Sequence, residues 1–86
     1  MAEVRDNAAA GRYELELGQG MAVAHYYDRA RSRFFTHTEV PPALRGQGIG
    51  SVLIKGALED VRTRGLHAVP ICSFVKEYIQ RHPDTA

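Results

Sequence analysis

Three glycines at alternate positions, Gly46, Gly48 and Gly50, separate two parts of the chain that follow different hydrophobic periods. Before them apolar and polar residues tend to alternate, and after them the apolar residues recur with the period of an amphipathic helix. Glycine loses more backbone freedom on folding than any other residue, so such a cluster indicates a sharp turn or a close approach to the backbone. The sequence therefore predicts a strand, a glycine-rich turn and a helix in succession.

The residues before the glycines predict three strands. Residues 12–17 alternate between apolar and charged side chains, residues 21–28 are apolar at nearly every position, and residues 33–40 are rich in aromatic and β-branched side chains. Because the connections are short, we expect an antiparallel three-stranded meander. Pro41 and Pro42 end the third strand, since proline cannot donate a hydrogen bond to the sheet.

The residues after the glycines predict a helix, a fourth strand and a second helix. Gly65 is expected to end the first helix, residues 66–71 form a short apolar strand, Ser73 caps the second helix and His82-Pro83 ends it. The apolar face of the first helix is predicted to carry Ile49, Val52, Leu53, Gly56, Ala57 and Val61. The β-β-β-α-β-α order indicates an α+β fold with a mixed sheet, in which the fourth strand lies parallel to the third.

Length and composition limit the organisation of the chain and its partners. With 86 residues we expect one domain over residues 12–86, preceded by a flexible tail over residues 1–11, which lack periodicity. A formal net charge of +1 argues against nucleic-acid binding. No signal peptide and no apolar run of about 18 residues is present, so we expect a cytoplasmic protein without a membrane contact. A domain of this size is expected to be a monomer or a weak dimer.

The glycine stretch is expected to bind an anion. The first N–H groups of a helix have no partner within the helix, and the helix dipole adds partial positive charge there. The spacing excludes a P-loop, which needs Gly-Lys-Ser/Thr, and the dinucleotide pattern G-x-G-x-x-G. What remains is R-x-x-G-x-G on Arg45, Gly48 and Gly50. The alternative is a tight turn between strand and helix that binds nothing.

Two stretches, HTEVPPALRGQGIGSVLIKGAL and VPICSFVKEYIQRHP, carry a family resemblance. Together they resemble the small YjdJ-type branch of the Gcn5-related N-acetyltransferase (GNAT) superfamily, and the resemblance extends over residues 12–83. Ser73 stands where that branch often has proline. The resemblance implies that acetyl-CoA is the ligand. The four histidines lack both the spacing and the neighbouring cysteines of a metal site, so we expect no metal.

The resemblance further implies where acetyl-CoA would lie. Its pantetheine arm would pair with the third strand at Glu39 and Val40, in the manner of an added strand, where the third and fourth strands splay apart. Arg45 would add charge near the pyrophosphate. The pyrophosphate itself would contact the backbone N–H groups around Gly46, Gln47, Gly48, Ile49, Gly50 and Ser51.

Transfer of an acetyl group to an amine requires that the amine lose a proton and that the leaving thiolate gain one. His37 and Glu39 are candidate bases, and strand alternation places them on the face of Phe35. The alternative for both is a polar pair facing solvent. Tyr78 is a candidate acid for the leaving thiolate, and the alternative is a core tyrosine with its hydroxyl at the surface.

Cys72 lies at the end of the fourth predicted strand, directly before the second helix. A thiol at a helix N-terminus has a lowered pKa and is a better nucleophile, so Cys72 is a candidate acceptor of the acetyl group in a two-step transfer. The alternative is an inert thiol that fills the core, with direct transfer to the amine.

The residues and the resemblance together predict an acetyl-CoA-dependent N-acetyltransferase whose acceptor is an unknown amine. Members of the superfamily usually carry further helices and strands that shape the acceptor pocket, and an open thioester end without them suits either a protein or peptide amine or little selection of the acceptor. The rival function is a non-catalytic module that binds CoA or acyl-CoA and regulates a partner.

Overall fold

A five-stranded sheet with the strand order β1-β2-β3-β4-β5 forms the centre of the computed structural model, which describes residues 3–85. The strands are β1 (Val4–Asn7), β2 (Arg12–Glu16), β3 (Met21–Arg29), β4 (Ser32–Glu39) and β5 (His67–Pro70). Strands β1 to β4 are antiparallel, and β5 is parallel to β4. The predicted α+β fold with a mixed sheet is confirmed.

Two helices, α1 (Ile49–Thr63) and α2 (Ser73–Arg81), pack against the same face of the sheet. The other face, which we call the open face, carries no helix within residues 3–85. Short 3-10 turns lie at Ala8–Ala10, Pro42–Leu44 and Pro83–Thr85. The core between sheet and helices contains Tyr13, Leu15, Ala22, Ala24, Tyr26, Phe35, Leu53, Ile54, Ala57, Leu58, Val61, Val75 and Tyr78.

The buried face of α1 is rotated relative to the predicted one. Ile54 and Leu58 are buried, whereas Val52, expected inside, is 53% exposed. Gly56 faces β1, and a Cβ added to it would lie 2.6 Å from the Cβ of Val4. The prediction did not include β1, so it did not account for this contact on the helix.

The expected flexible tail over residues 1–11 is wrong for Val4–Asn7, which form the edge strand β1. Polar side chains hold this strand, which explains why the hydrophobic pattern did not reveal it. The carboxylate of Glu14 in β2 accepts hydrogen bonds from Arg5 (3.1 Å), Asn7 (2.9 Å) and Arg12 (2.7 Å). These hydrogen bonds lower the pKa of Glu14 to about 2, and the bond from Asn7 contributes most.

A β-bulge in β4 changes which side chains share a face. His25 in β3 pairs with His37, and the next residue, Tyr26, pairs with Phe35, so Thr36 is the extra residue. The predicted face of His37 and Glu39 is therefore wrong, because simple alternation placed them with Phe35. The bulge turns both side chains to the open face and turns Thr38 to the helix side.

A buried arginine joins four elements at the end of the sheet opposite the glycine turn. Arg33 in β4 is 5% exposed, and its guanidinium donates two hydrogen bonds to Asp28, at 2.7 and 2.8 Å. It also donates to the Tyr13 hydroxyl at 2.7 Å and lies 4.0 Å from the centre of the Tyr26 ring. Tyr13 in turn donates to Asp60 of α1, at 2.6 Å. This network fixes α1 over the sheet.

Of the helices between residues 3 and 85, none has the length and apolar character needed to cross a membrane.

Candidate functional site

A cleft of about 590 Å³ lies where β4 ends and α1 begins. Its lining comes from the end of β4, the two prolines, the glycine turn, the first turn of α1 and one aromatic residue of α2. The structure places every predicted cofactor-binding residue except Gln47 along this cleft. The lining residues are Met21, His37, Thr38, Glu39, Val40, Pro41, Pro42, Leu44, Arg45, Gly46, Gly48, Ile49, Gly50, Ser51 and Phe74.

The three glycines have two different tasks. Gly46 and Gly48 have φ angles of +82° and +76°, a conformation that favours glycine. Apart from the adjacent residues, no described residue has a heavy atom within 4 Å of where their Cβ would be. Gly50, in contrast, sits in the helix, and a Cβ on it would lie 2.7 Å from the Phe74 ring. The first two glycines therefore form an open turn, and the third allows α2 to pack closely against α1.

The first turn of α1 presents free donors to the cleft. Within the helix, the hydrogen bonding begins with the Val52 N–H, which donates to the Gly48 carbonyl at 3.2 Å. The N–H groups of Ile49, Gly50 and Ser51 precede it and have no acceptor inside the helix. No acidic residue occupies this first turn. The arrangement favours an anionic group at the mouth of the turn.

Arg45 connects the glycine turn to the end of β4. Its side chain is exposed, and its Nε donates a hydrogen bond to the Val40 carbonyl at 3.2 Å. The positive charge therefore stands beside the turn, where it attracts the same anion as the helix N-terminus. The contact also occupies the Val40 carbonyl, so a ligand that pairs with this carbonyl has to displace Arg45.

Strands β4 and β5 separate beside the cleft. Their pairing ends at Phe35 and Pro70, and the Phe35 carbonyl then accepts the N–H groups of both Ile71 (3.0 Å) and Cys72 (2.9 Å). Beyond this point the chain enters α2. On the side of β5, β4 from Thr36 to Glu39 therefore has no strand partner within the described part of the chain, and an extended ligand has room to pair with it.

Cys72 lies at the point where the two strands separate. It is half-buried, and it occupies the N-cap position of α2 that the sequence assigned to Ser73. Its sulfur lies 3.5 Å from the Thr38 hydroxyl oxygen. Burial alone raises the pKa of the thiol, but the Thr38 hydroxyl and the N–H groups of Val75 and Phe74 outweigh it, so the pKa is lowered from its ordinary value. The surroundings thus favour the nucleophilic thiolate.

Glu39 and His37 lie on the other side of β4 from Cys72. Both are exposed on the open face, with Glu39 Oε2 at 3.4 Å from His37 Nε2. His25 of β3, which the sequence analysis did not select, has its Nε2 3.7 Å from the same carboxylate oxygen. The candidate nucleophile and the candidate bases therefore flank one strand from opposite faces and do not touch.

Two candidate side chains do not line the cleft: Cys72, which lies behind the lining residue Thr38, and Tyr78. Tyr78 is 8% exposed within the core, and its ring meets that of His82 edge-on with centroids 4.3 Å apart. Burial, together with Glu59 and Asp84, raises the pKa of its hydroxyl. Tyr78 lines a small separate depression together with Ser51 and Phe74.

Sequence reasoning missed two residues of the site, Thr38 and Phe74. The place of each residue depends on a contact between segments that are distant in the sequence. Thr38 faces Cys72 because of the bulge at Thr36, and Phe74 packs against Gly50. The repeated threonines of β4 carried no signal that separates one face from the other. Within residues 3–85, no group of three or more His, Cys, Asp or Glu residues is arranged to hold a metal ion.

Comparison with known proteins identifies a family and several curated relatives that this chain resembles. A family model described as GCN5-related N-acetyl-transferase matches residues 12–86. Among curated relatives, Protein NATD1 of Gallus gallus and of Mus musculus are each 43% identical over 47 residues, which cover 55% of this chain and 43% of the relative. Protein NATD1 of Homo sapiens is 43% identical over 47 residues, or 42% of its length.

The matched segment thus spans less than half the length of these relatives. The family model, in contrast, covers nearly the whole chain, from the first residue of β2 to the C-terminus. The matched residues include the glycine turn, the unpaired part of β4 and Cys72. The chain belongs to the GCN5-related N-acetyltransferase family.

Proposed function

We propose that this protein is an acetyl-CoA-dependent N-acetyltransferase, and that within its family it belongs to the small YjdJ-type branch. The observation that carries the proposal is the continuity of the cleft. It runs from an open glycine turn with free helix N–H groups to a strand edge without a neighbour, and it ends beside Thr38, which contacts a thiol of lowered pKa. An extended ligand with a phosphate at one end and a thioester at the other matches this path.

Acetyl-CoA supplies an activated acetyl thioester when bound. The N–H groups of α1 and the Arg45 guanidinium bind the pyrophosphate, and the left-handed Gly46 and Gly48 keep Cβ atoms out of its way. The unpaired backbone at Glu39 and Val40 holds the pantetheine arm as an added strand. Binding moves Arg45 from the Val40 carbonyl toward the phosphates.

Two chemical routes lead from this complex to an acetylated amine. In direct transfer, Glu39 or His37 takes a proton from the acceptor ammonium, and the free amine nitrogen attacks the acetyl carbonyl. The CoA sulfur leaves as thiolate, and the nitrogen releases its second proton to solvent as the amide forms. In the two-step route, the Cys72 thiolate attacks first, forms an acetyl-cysteine thioester and releases the CoA thiolate. The deprotonated amine then attacks that thioester, the Cys72 thiolate is restored, and the nitrogen again releases its second proton to solvent.

The leaving CoA thiolate needs a proton in either route. We keep Tyr78 as the candidate acid on the basis of the family resemblance alone, because its hydroxyl lies outside the cleft lining and its raised pKa makes it a weaker proton donor. The variant Tyr78→Phe tests this role, and unchanged release of CoA thiol would assign the proton to solvent.

A second candidate function is a module that binds acyl-CoA without turnover. The exposure of the candidate base favours it, because the Glu39 side chain is 56% exposed and water competes with the acceptor amine there. In this second function the cleft binds acyl-CoA, and a partner protein binds the open face when the ligand is present.

Mass spectrometry of the protein with acetyl-CoA separates these functions. A native spectrum that shows the mass of one bound acetyl-CoA supports the cleft, and no bound ligand under gentle conditions rejects it. A denatured spectrum with an acetyl group on Cys72 supports the two-step route, with Cys72→Ser as the control. Release of CoA thiol with a panel of amines, reduced in Glu39→Gln, supports an enzyme, and binding without any release supports the module.

A further inference from the structure

The open face carries a row of rings that runs along β3 and β4. Tyr27 and Phe34 stack with their centroids 4.8 Å apart and their planes inclined by only 3°. The imidazole rings of His25 and His37 come next along the same strands, with centroids 6.1 Å apart and planes inclined by 18°. The row ends at Glu39, whose carboxylate lies near both imidazoles.

This row is accessible, and it joins the cleft. Tyr27 is 48% exposed, and both helices pack on the other side of the sheet. His37 and Glu39 belong to the row and also line the cleft. A molecule that lies on the row therefore borders the cleft that we propose for acetyl-CoA.

The two ends of the row differ in charge. Glu39 provides a carboxylate at the cleft end, where it attracts an ammonium group. At the other end lies the β3–β4 turn with Arg29 and Arg31, both exposed, and strand alternation puts Arg29 on the face of Tyr27. A complementary ligand has a cation at the cleft, an apolar group over the Tyr27–Phe34 pair and an anion near the turn.

The length of the row sets the size of that ligand. Phe34 and Glu39 pair with Tyr27 and Val23, which are four residues apart on the regular strand β3, and this corresponds to about 13 Å at the usual rise of about 3.3 Å per residue. One amine side chain does not span this distance, whereas an extended peptide of about five residues does.

We propose that the open face from Glu39 to the Tyr27–Phe34 pair binds an extended acceptor peptide. Its reacting lysine lies at Glu39, an apolar side chain covers the two stacked rings, and an acidic residue lies near Arg29. The proposal rests on the acetyltransferase function above, for which it names the class of acceptor.

The first test compares acceptors with the wild-type protein. Each synthetic peptide contains a single lysine, and kcat/KM is measured by the release of CoA thiol. One peptide has phenylalanine four residues from the lysine and aspartate beyond it, and matched peptides carry glycine for phenylalanine or lysine for aspartate. All are made in both chain directions, and butylamine serves as the free amine. We expect phenylalanine to raise kcat/KM by roughly three- to tenfold, the usual effect of one aromatic contact.

The second test changes the surface. Tyr27→Thr and Phe34→Thr replace each ring by a β-branched residue that also favours a strand, and we expect both to abolish the preference for phenylalanine. Val52→Thr, which alters an exposed apolar side chain on α1, is the matched control. The affinity for CoA, measured in parallel, reports whether each variant keeps its fold.

A charge reversal tests the far end of the row without touching the packing. Arg29→Glu is expected to reverse the preference for the acidic peptide, whereas Arg81→Glu, an equal reversal at the end of α2, leaves it unchanged. Because Arg29 is exposed, this variant remains informative even if a ring variant fails to fold.

The outcomes distinguish a failure of the peptide-binding surface from a failure of the proposed acetyltransferase function. Acetylation of butylamine and all peptides with equal kcat/KM, or an unchanged preference in the ring and charge variants, overturns the peptide surface and leaves the acetyltransferase in place. Binding of acetyl-CoA with no transfer to any amine overturns both. A preference for the phenylalanine and aspartate peptide that is lost in the variants and kept in the controls supports the surface.

Discussion

The Thr38 hydroxyl oxygen and the Cys72 sulfur lie 3.5 Å apart, although 34 residues separate them in the chain. When Cys72 is ionised, the hydroxyl is the donor in this contact, and it helps to lower the pKa of Cys72. Replacement by Thr38→Val keeps the shape and removes the donor, so we expect the pKa of the thiol to rise. At neutral pH the fraction of thiolate then falls, and alkylation by iodoacetamide slows. The measurement is the alkylation rate as a function of pH.

Thr38→Ser retains the hydroxyl and is the control for this variant. We expect the pH at the midpoint of its alkylation curve to lie close to that of the wild type. An unchanged midpoint in Thr38→Val would show that the helix N–H groups of Phe74 and Val75 suffice to stabilise the thiolate. This readout does not depend on acetyl transfer.

Gly50→Ala is expected to destabilise the protein by about 1–3 kcal/mol, as overpacking does, because the new methyl group meets the Phe74 ring at 2.7 Å. Phe74→Leu in the same chain makes room and should recover part of the loss. Urea denaturation of the two single variants and the double variant gives the coupling free energy. Additive effects would show that the two residues do not interact.

Gly48→Ala tests the open turn. The backbone there has a φ of +76° and no neighbour near the Cβ position, so the cost is conformational, about 1–2 kcal/mol in folding stability. We also expect weaker binding of CoA, because a methyl group then projects from the turn that receives the pyrophosphate. Calorimetric titration with CoA measures this loss. Gly18→Ala, also at a positive φ in an open turn but far along the chain, is the matched control.

Removal of the buried guanidinium in Arg33→Met is expected to cost about 3 kcal/mol, the lower end of the range for the loss of one partner of a buried ion pair, because Asp28 is 44% exposed. The variant leaves Asp28 without its two hydrogen bonds and removes a charge 3.5 Å from Asp6, whereas Asp60 keeps Arg64 at 2.7 Å. Arg31→Met, an exposed neighbour in the same turn, should change the free energy of unfolding by less than about 0.5 kcal/mol. Denaturation in urea compares the two, and equal losses would contradict the role of the network.

The Glu14 carboxylate gives the stability a defined dependence on pH. Its pKa is lowered from 4.5 to about 2 in the folded protein, first by Asn7 and then by Arg12 and Arg5. A lowered pKa contributes stability that is complete above the unfolded value of 4.5 and is lost as the pH falls toward about 2. We expect the wild type to lose more stability over this interval than Glu14→Gln. Thermal unfolding at a series of pH values makes the comparison, and parallel curves would refute it.

The parts of the fold that follow from local patterns could be predicted. The change of period at the glycines, the prolines after β4 and the order of elements led to the mixed sheet and to the strand–turn–helix around Gly48. The glycine turn could be predicted because only glycine adopts a positive φ there at little cost. These signals lie within a few residues of the feature that they specify.

The rest depends on contacts that no local pattern records. Strand β1 pairs through the buried carboxylate of Glu14, and Gly50 is small because Phe74 lies against it. The faces of His37 and Glu39 were predicted wrongly because the pairing of β3 with β4, and not the sequence of β4, decides where the extra residue goes. Whether these side chains catalyse acetyl transfer stays a prediction.

The bulge at Thr36 decides which face of β4 carries each reactive group. If the five residues from Phe35 to Glu39 alternated regularly, the carboxylate would turn toward Cys72 and the hydroxyl of Thr38 would turn to solvent. Deletion of the extra residue would instead remove the bulge and keep both faces, because His37, Thr38 and Glu39 could retain their partners in β3. For related chains, the spacing between the buried phenylalanine and the acidic residue therefore indicates whether the strand needs a bulge to keep these faces.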